Sequence, residues 1–452
     1  MTHIAVTAPL VAAALIGLVA CSGPSSSTNM GALAGAGGSV VVAGAGGASG
    51  ASVGVGGAFA SAGAGDSGGP AGASGSAGAG AGIVTMTNGF VHPGILVSGG
   101  MLDFVKGKIA AGAQPWKDAF DRASSDGLGK LPYTPHPLAT VECGSFSNPD
   151  IGCTDEKQDA AAAYTQALLW YYTGDQKYAD SAINIMNQWA STVKAHTNSN
   201  APLQSAWVAE LFPRAAEIIR YSNAGWADSA IDDFATMLTT VYLPEVVNGV
   251  DSNGNWELSM AEATINIGIF TNDQDVFAQG VSLWRKRTPA YVYLSTDGAT
   301  PVPPPTGNHS GSELVAYWYN QSKFVDGLSQ ETCRDLGHVQ YGLAAMINAA
   351  ETASIQGVDL IGEEQARISA ALEFHAQYID GSPVPSWLCA GTLNAVSADP
   401  MWEIGYNQYA TTLGLALPNT KTLVMKQRPS AADHHMVWET LSHGDIGGVG
   451  LP

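Results

Sequence analysis

The stretch Glu331-Thr332-Cys333-Arg334-Asp335-Leu336-Gly337-His338-Val339-Gln340-Tyr341-Gly342, continuing through Leu343-Ala344-Ala345-Met346-Ile347-Asn348-Ala349-Ala350, reads as one helix. At about 3.6 residues per turn, Arg334, His338, Tyr341 and Ala345 recur at i, i+4, i+7 and i+11 and share a face. A cation, an imidazole and a phenol therefore line up. An Arg in the first turn stands at the positive end of the helix dipole, where it is mildly disfavoured, so something other than helix stability keeps it there. The plainer reading of the same spacing pairs Arg334 with Asp335 or Glu331 at the surface and packs His338 and Tyr341 as amphipathic side chains.

Working outward, the pattern is of helix after helix. Asn88 to Leu96 reads as an extended entry segment, since Pro93 disfavours helix at His92. Met101 to Ile109 has helical spacing of its apolar residues, and Pro115 opens another helix at its first position. Asp155 to Tyr172, with Gly174 as its stop, pairs with Tyr178 to Val193. Leu203 to Tyr221 with Trp226 to Leu243, and Asn255 to Phe270 with Gln274 to Thr288, make further pairs. A Pro-rich loop from Ser295 to Gly311 follows, and helices resume at 313–321, 331–355, 362–378 and 405–414. Period-two runs are few, at Ala290 to Leu294 and Thr422 to Met425. Periodicity gives an all-α chain of antiparallel hairpins and leaves ring and open solenoid both available.

The stretch Glu331 to His338, with Asn255-Trp256-Glu257 before it and Trp402-Glu403-Ile404-Gly405-Tyr406-Asn407 after it, resembles the alginate lyase superfamily of polysaccharide lyases. The spacing from Arg334 to Tyr341 is similar to family 5, and family 38 is the other branch the chain looks like. The resemblance runs from about Gly89 to about His443. It implies an α/α toroid, an incomplete barrel of helical hairpins whose inner-helix N-termini shape a cleft, over residues 86–452. It also implies an enzyme that cleaves a uronic-acid polymer, alginate first, by β-elimination. Glucuronan or another polyuronate is the alternative substrate, and a non-catalytic surface glycan-binding lipoprotein is the alternative of a different class. A glycoside hydrolase needs two opposed carboxylates, and Glu257, Glu262, Glu313 and Asp335 show no such pairing in their spacing.

Elimination removes the C5 proton of a uronate and expels the oxygen on C4, so the adjacent carboxylate must be neutralised by strong donors. By resemblance Asn255 neutralises that carboxylate. Family 5 places a His after it, whereas this chain has Trp256, so one donor is missing. His309, on the Pro-rich loop, is a candidate replacement, as family 38 draws a His from a separate segment. Arg334 is assigned to the carboxylate or to lowering the Tyr341 pKa, and Tyr341 to the acid, with Tyr341, His309 or His338 as base. Tyr406 and Tyr409 also resemble family positions and stay open as the acid. Trp207, Arg214, Trp256, Tyr406 and Tyr409 are the expected sugar contacts. His434, His435 and His443 look at first like a metal cluster, but without a Cys or carboxylate at ligand spacing they read as a helix cap and surface histidines. No cofactor motif and no metal site is expected.

The N-terminal part has a different character. Residues 4–20 form an uncharged apolar run leading into Leu18-Val19-Ala20-Cys21, so that 1–20 is similar to a lipoprotein signal with Cys21 as the lipidated residue, although Met1-Thr2-His3 lacks the usual basic charge. A simple secretory signal is the alternative. Residues 21–85 are almost wholly Gly, Ala and Ser and read as a flexible linker. Four further cysteines remain. An even number in an exported chain reads as two disulfides, Cys143 with Cys153 around a short loop and Cys333 with Cys389, against the alternative of buried free thiols. The net charge of −20 argues against nucleic acid. It does not forbid an anionic polysaccharide, whose binding depends on the field within a cleft. The expectation is a monomer, exported and held at the cell envelope through Cys21, or secreted or periplasmic.

Overall fold

The computed structural model describes residues Thr85–Val449 apart from Ala395. The expected signal at 1–20, the lipidation site Cys21 and all of the 21–85 linker except its last residue lie outside them. Helix dominates, and the few strands are two to four residues long.

Four long helices form an inner layer: Cys153–Thr173, Ala201–Arg220, Gly254–Thr271 and Leu336–Ile355. Each packs on the next, while Gln176–Thr192, Asp228–Met237, Gln274–Tyr291 and Gln365–Ile379 lie outside them. The inner helices are apolar or small on nearly every side because both faces are covered; in Gly254–Thr271 only Trp256 and Thr271 escape burial. Beyond Leu336–Ile355 the layer continues through Trp402–Tyr406 and Glu439–His443. The last of these meets Gly99–Ala110 and Trp116–Ser125, which return to Cys153–Thr173, so the circuit closes. This is the expected α/α toroid.

Small residues set how closely the layers approach. Gly254 and Gly342, on neighbouring inner helices, both lie against the ring of Tyr291, and a methyl group at either position would collide with it. The Tyr291 hydroxyl is thereby held against Glu331, 3.2 Å from Oε2.

The two ends of the toroid differ. At the C-terminal ends of the inner helices an extended segment, Phe90–His92 and Gly94–Ile95, crosses the opening. Its backbone is held by Gln356, Glu217 and Thr352, and His92 bonds Glu217 at 2.8 Å. The N-terminal ends face the opposite mouth, as the resemblance implied.

Several local expectations shift. Helix begins at Leu336, not Glu331, because Asp335 adopts an extended conformation and caps it, accepting from the His338 amide at 2.9 Å. Arg334 therefore precedes the helix and escapes the dipole penalty. Pro115 caps its helix rather than occupying the first turn, and Thr422 to Met425 lies in the helix Pro418–Gln427. Both disulfides form as expected, Cys143 with Cys153 and Cys333 with Cys389.

Candidate active site

At the open mouth the N-terminal turns of the inner helices bring their polar residues into one continuous run. Glu331, fully buried, accepts from the Asn255 amide nitrogen at 2.8 Å on each carboxylate oxygen and from Arg334 Nη1 at 2.7 Å. Arg334 Nε lies 3.9 Å from Asp335, whose carboxylate accepts from His338 Nδ1 at 2.7 Å. His338 is followed one turn later by Tyr341, with ring centroids 5.9 Å apart. Arg334, His338 and Tyr341 thus stand together at one site, linked through Asp335, with Asn255 held behind them on Glu331.

The other side of Tyr341 is closed by residues distant in sequence. Its ring meets His434 at 4.9 Å and Trp207 at 5.9 Å between centroids. His434 sits on the turn between the short strands Ala432–Asp433 and Met436–Val437, in a left-handed backbone conformation. Asp433 accepts from its Nδ1 at 2.6 Å. Below it His435 is buried, and burial first, with Arg214 second, depresses its pKa well below the usual imidazole range.

Each flanking imidazole is therefore oriented the same way. An ionised carboxylate can only accept, so Nδ1 carries the hydrogen in both rings, and Nε2, which has no hydrogen-bond partner among the described residues, carries the lone pair. Tyr341 is in a different electrostatic situation from the one expected. Burial first, then the acidic side chains of Asp399, Asp433 and Asp335, raise its pKa above the ordinary tyrosine value. Arg334 is paired with Glu331 and does not lower it. The phenol holds its proton, which suits a donor and not a resting base. Asp399 beside it is pushed up to about 7, by burial and then by Asp433 and Asp335.

Other expected site residues fall elsewhere. Asn255 is buried, and its amide donors point at Glu331, so it holds that carboxylate in place and does not face the mouth. His309 pairs with Asp251 at 3.0 Å and stacks on Tyr317 at 4.3 Å, at the rim before the Gly254–Thr271 helix, apart from the Tyr341 cluster. Arg214 is enclosed: one guanidinium nitrogen pairs with Glu262 and another donates to the His435 carbonyl at 2.9 Å. It cannot reach a sugar, and instead anchors the turn that carries His434. Tyr409 is buried with its hydroxyl toward Ile361, near the plugged end. Trp402 meets Gln340 and Gln408 meets Glu351, so Tyr406, half-buried between them, lies deeper than Tyr341. Trp256 and Trp207 are half-buried at the mouth.

Sequence reading missed His434, Asp433, Asp399 and the half-buried Tyr319, which neighbours Arg334. The adjacent pair His434-His435 was the available signal. Its reading as cap and surface residues failed because one ring is buried and the other turned inward by a hairpin. Glu257 and Glu262 are buried against Arg287 and Arg214, so neither offers the accessible opposed carboxylate of a hydrolase. Among the described residues no group of three or more His, Cys, Asp or Glu is placed to hold a metal ion.

Comparison with known proteins agrees with this architecture. The structure is similar to alginate lyase A1-III from Sphingomonas species A1, with a TM-score of 0.52 and 17% identity over 80% of this chain and 97% of that one. A complex of A1-III with a tetrasaccharide gives a TM-score of 0.53 at 15% identity, over 80% and 96% of the two chains. An alginate lyase from Bacteroides ovatus gives 0.53 at 16%, over 78% and 99%. These likenesses are of fold. No curated protein sequence matches the chain. The alginate lyase family model matches residues 150–302 and 316–385, which include Asn255, Arg334, His338 and Tyr341. With the motif around Arg334 and Tyr341 at the mouth of an α/α toroid, the chain belongs to the alginate lyase superfamily and is a polysaccharide lyase.

Proposed function

We propose that this protein cleaves alginate by β-elimination at the site centred on Tyr341. The observation that carries the reading is the phenol of Tyr341 between two imidazoles, His338 and His434, each held through Nδ1 by a carboxylate, with Arg334 next in line. Arg334, through the guanidinium N–H groups that Glu331 leaves free, donates to the uronate carboxylate, which makes the C5 proton acidic enough to leave, and His338 flanks it. His434 takes that proton on Nε2. Tyr341, which keeps its own proton at neutral pH, gives it to the C4 oxygen as the bond to the leaving sugar breaks. The products are a shortened chain and a sugar with a carbon–carbon double bond conjugated to its carboxylate.

The spacing bears on stereochemistry. Rings whose centroids are 4.9 Å apart are in contact, and no sugar ring fits between them. His434 and Tyr341 therefore act from one side of the substrate. Proton and leaving oxygen lie on the same side in mannuronate and in glucuronate, which share their configuration at C4 and C5, and on opposite sides in guluronate, so the arrangement favours mannuronate over guluronate linkages. The two disulfides support an exported protein, and the Leu-Val-Ala-Cys21 sequence supports lipid anchoring there. The test is to incubate the enzyme separately with polymannuronate, polyguluronate and polyglucuronate and follow ultraviolet absorbance of the new double bond. Faster growth on polymannuronate than on polyguluronate is expected, and absence of the chromophore on all three overturns the reading.

A further inference from the structure

A polyanionic chain needs cations beyond the sugar that reacts, yet the arginines around this mouth are already committed. Arg334 is paired with Glu331, Arg214 with Glu262, Arg287 with Glu257 and Arg428 with Glu403. Lys157 differs. It stands near the start of the Cys153–Thr173 helix, with its ammonium 5.1 Å above the indole of Trp207, the residue that closes one side of Tyr341. Among the described residues it has no hydrogen-bond or ion-pair partner. Burial lowers its pKa, against the opposing pull of the more distant Asp150, Asp433 and Glu156.

Lys157 lines a cavity of about 670 Å³ that begins at Asp433 and His434 and runs away from Tyr341 toward Asp126, Leu128 and Tyr133. That volume lies within the roughly 300–1,000 Å³ that enclose drug-sized ligands, and a disaccharide of uronic acids is of that size. The two acids in the lining are spent locally. Asp126 accepts from the Leu128 amide at 2.9 Å, and Asp433 accepts from His434. Tyr133 is fixed by its hydroxyl, which donates to Asp159 at 2.9 Å, so its ring forms a rigid wall of the kind sugars pack against. The cavity thus has an immobilised aromatic surface, two acids each engaged by a local hydrogen bond, and one ammonium without such a partner among the described residues.

We propose that this cavity is a distal subsite for uronate units next to the one being cleaved, with Lys157 as the residue that recognises their carboxylate. The inference rests on the lyase reading of the Tyr341 site and adds a specificity determinant to it. A carboxylate beside Lys157 gains a partner in a half-desolvated site where the attraction exceeds its value in water. A neutral glycan gains nothing there. Long uronate chains occupy this subsite and the reacting site together, whereas the shortest oligosaccharides cannot fill both.

The experiment compares wild type, Lys157→Gln and Lys157→Arg on polymannuronate and on mannuronate oligosaccharides of increasing length. The expected result for Lys157→Gln is a KM on polymer raised about tenfold with kcat within about twofold. Lys157→Arg recovers most of the loss. Added salt should raise the wild-type KM toward that of Lys157→Gln, whose own salt dependence is flatter. An unchanged KM in Lys157→Gln, or a loss confined to kcat, overturns the subsite while leaving the lyase reading intact. If wild type releases no unsaturated product, the lyase reading fails, and calorimetric titration with mannuronate oligosaccharides still decides the subsite. Tighter binding to wild type than to Lys157→Gln supports it, and equal or undetectable binding by both overturns it.

Discussion

The ring of His434 lies 4.9 Å from the ring of Tyr341, although one comes from a two-strand hairpin near the end of the chain and the other from the second turn of an inner helix. Each has a distinct proton inventory: Asp433 fixes hydrogen on His434 Nδ1, while acidic neighbours and burial keep hydrogen on the Tyr341 oxygen. That asymmetry assigns one as acceptor and the other as donor.

Tyr341→Phe should reduce kcat by about 10²–10⁴-fold, the usual range for losing a general acid. Its melting temperature should stay near wild type, because the hydroxyl has no hydrogen-bond partner among the described residues. His434→Gln should fall by a similar factor, and Asp433→Asn by less, since the ring remains but loses its orientation. Initial rates of double-bond formation measure all three. A Tyr341→Phe enzyme that turns over at the wild-type rate removes the phenol from the chemistry.

Arg214 gives the opposite pattern. Replacing it by Met leaves Glu262 buried without its cation, and breaking such a pair costs about 3–5 kcal/mol. Denaturant unfolding should show that loss. Because the guanidinium also holds the His435 carbonyl, kcat should drop through displacement of His434, with KM for short oligosaccharides little affected. A variant as stable as wild type with a raised KM would instead place Arg214 against the substrate.

Stability should decline as pH rises through the neutral range. Burial holds Glu439 up to about 8 and Asp399 up to about 7, above ordinary values of 4.5 and 3.8. A carboxyl whose folded pKa is raised contributes stability that is complete below its unfolded pKa and lost as pH climbs through the folded one. The relevant windows run from roughly pH 4.5 to 8 for Glu439 and from roughly 3.8 to 7 for Asp399. Glu439→Gln keeps a carbonyl oxygen to accept from the Glu403 and Ile404 amides. It and Asp399→Asn should match wild type near pH 4 and melt higher than wild type at pH 9. Melting curves superimposable across that range would show that these carboxyls ionise freely.

The disulfides should differ in worth. The Cys333–Cys389 bridge closes a segment of 56 residues and Cys143–Cys153 one of 10. Chain entropy then gives about 4 kcal/mol for the first and about 3 kcal/mol for the second. Cys333→Ala with Cys389→Ala should therefore lower the melting temperature more than the corresponding pair at 143 and 153. It should also loosen Arg334, the next residue in the chain, and reduce kcat below the melting transition. Equal shifts in the two double variants would refute the ordering.

The helical architecture was legible because helix periodicity and Gly or Pro stops are local signals, and nearly every long helix appears within a few residues of its expected place. Ends were displaced where a side chain took over from periodicity, as when Asp335 capped the helix and put Arg334 outside it. The even cysteine count and the short loop between Cys143 and Cys153 carried both disulfide pairings. The grouping of Asn255 and Arg334 followed from the motif, but that Glu331 absorbs the donors of Asn255 did not.

What the sequence by itself determined is the run of antiparallel helices, the two bridges, and Arg334, His338 and Tyr341 as neighbours along one segment, since each depends on residues close in the chain or on chemistry intrinsic to them. Only the tertiary structure decided that His434 stands against Tyr341, that Arg214 is an internal anchor, and that Lys157 has no hydrogen-bond or ion-pair partner among the described residues. Those outcomes depend on burial and on charges brought together from distant segments, and neither quantity exists until the toroid has closed.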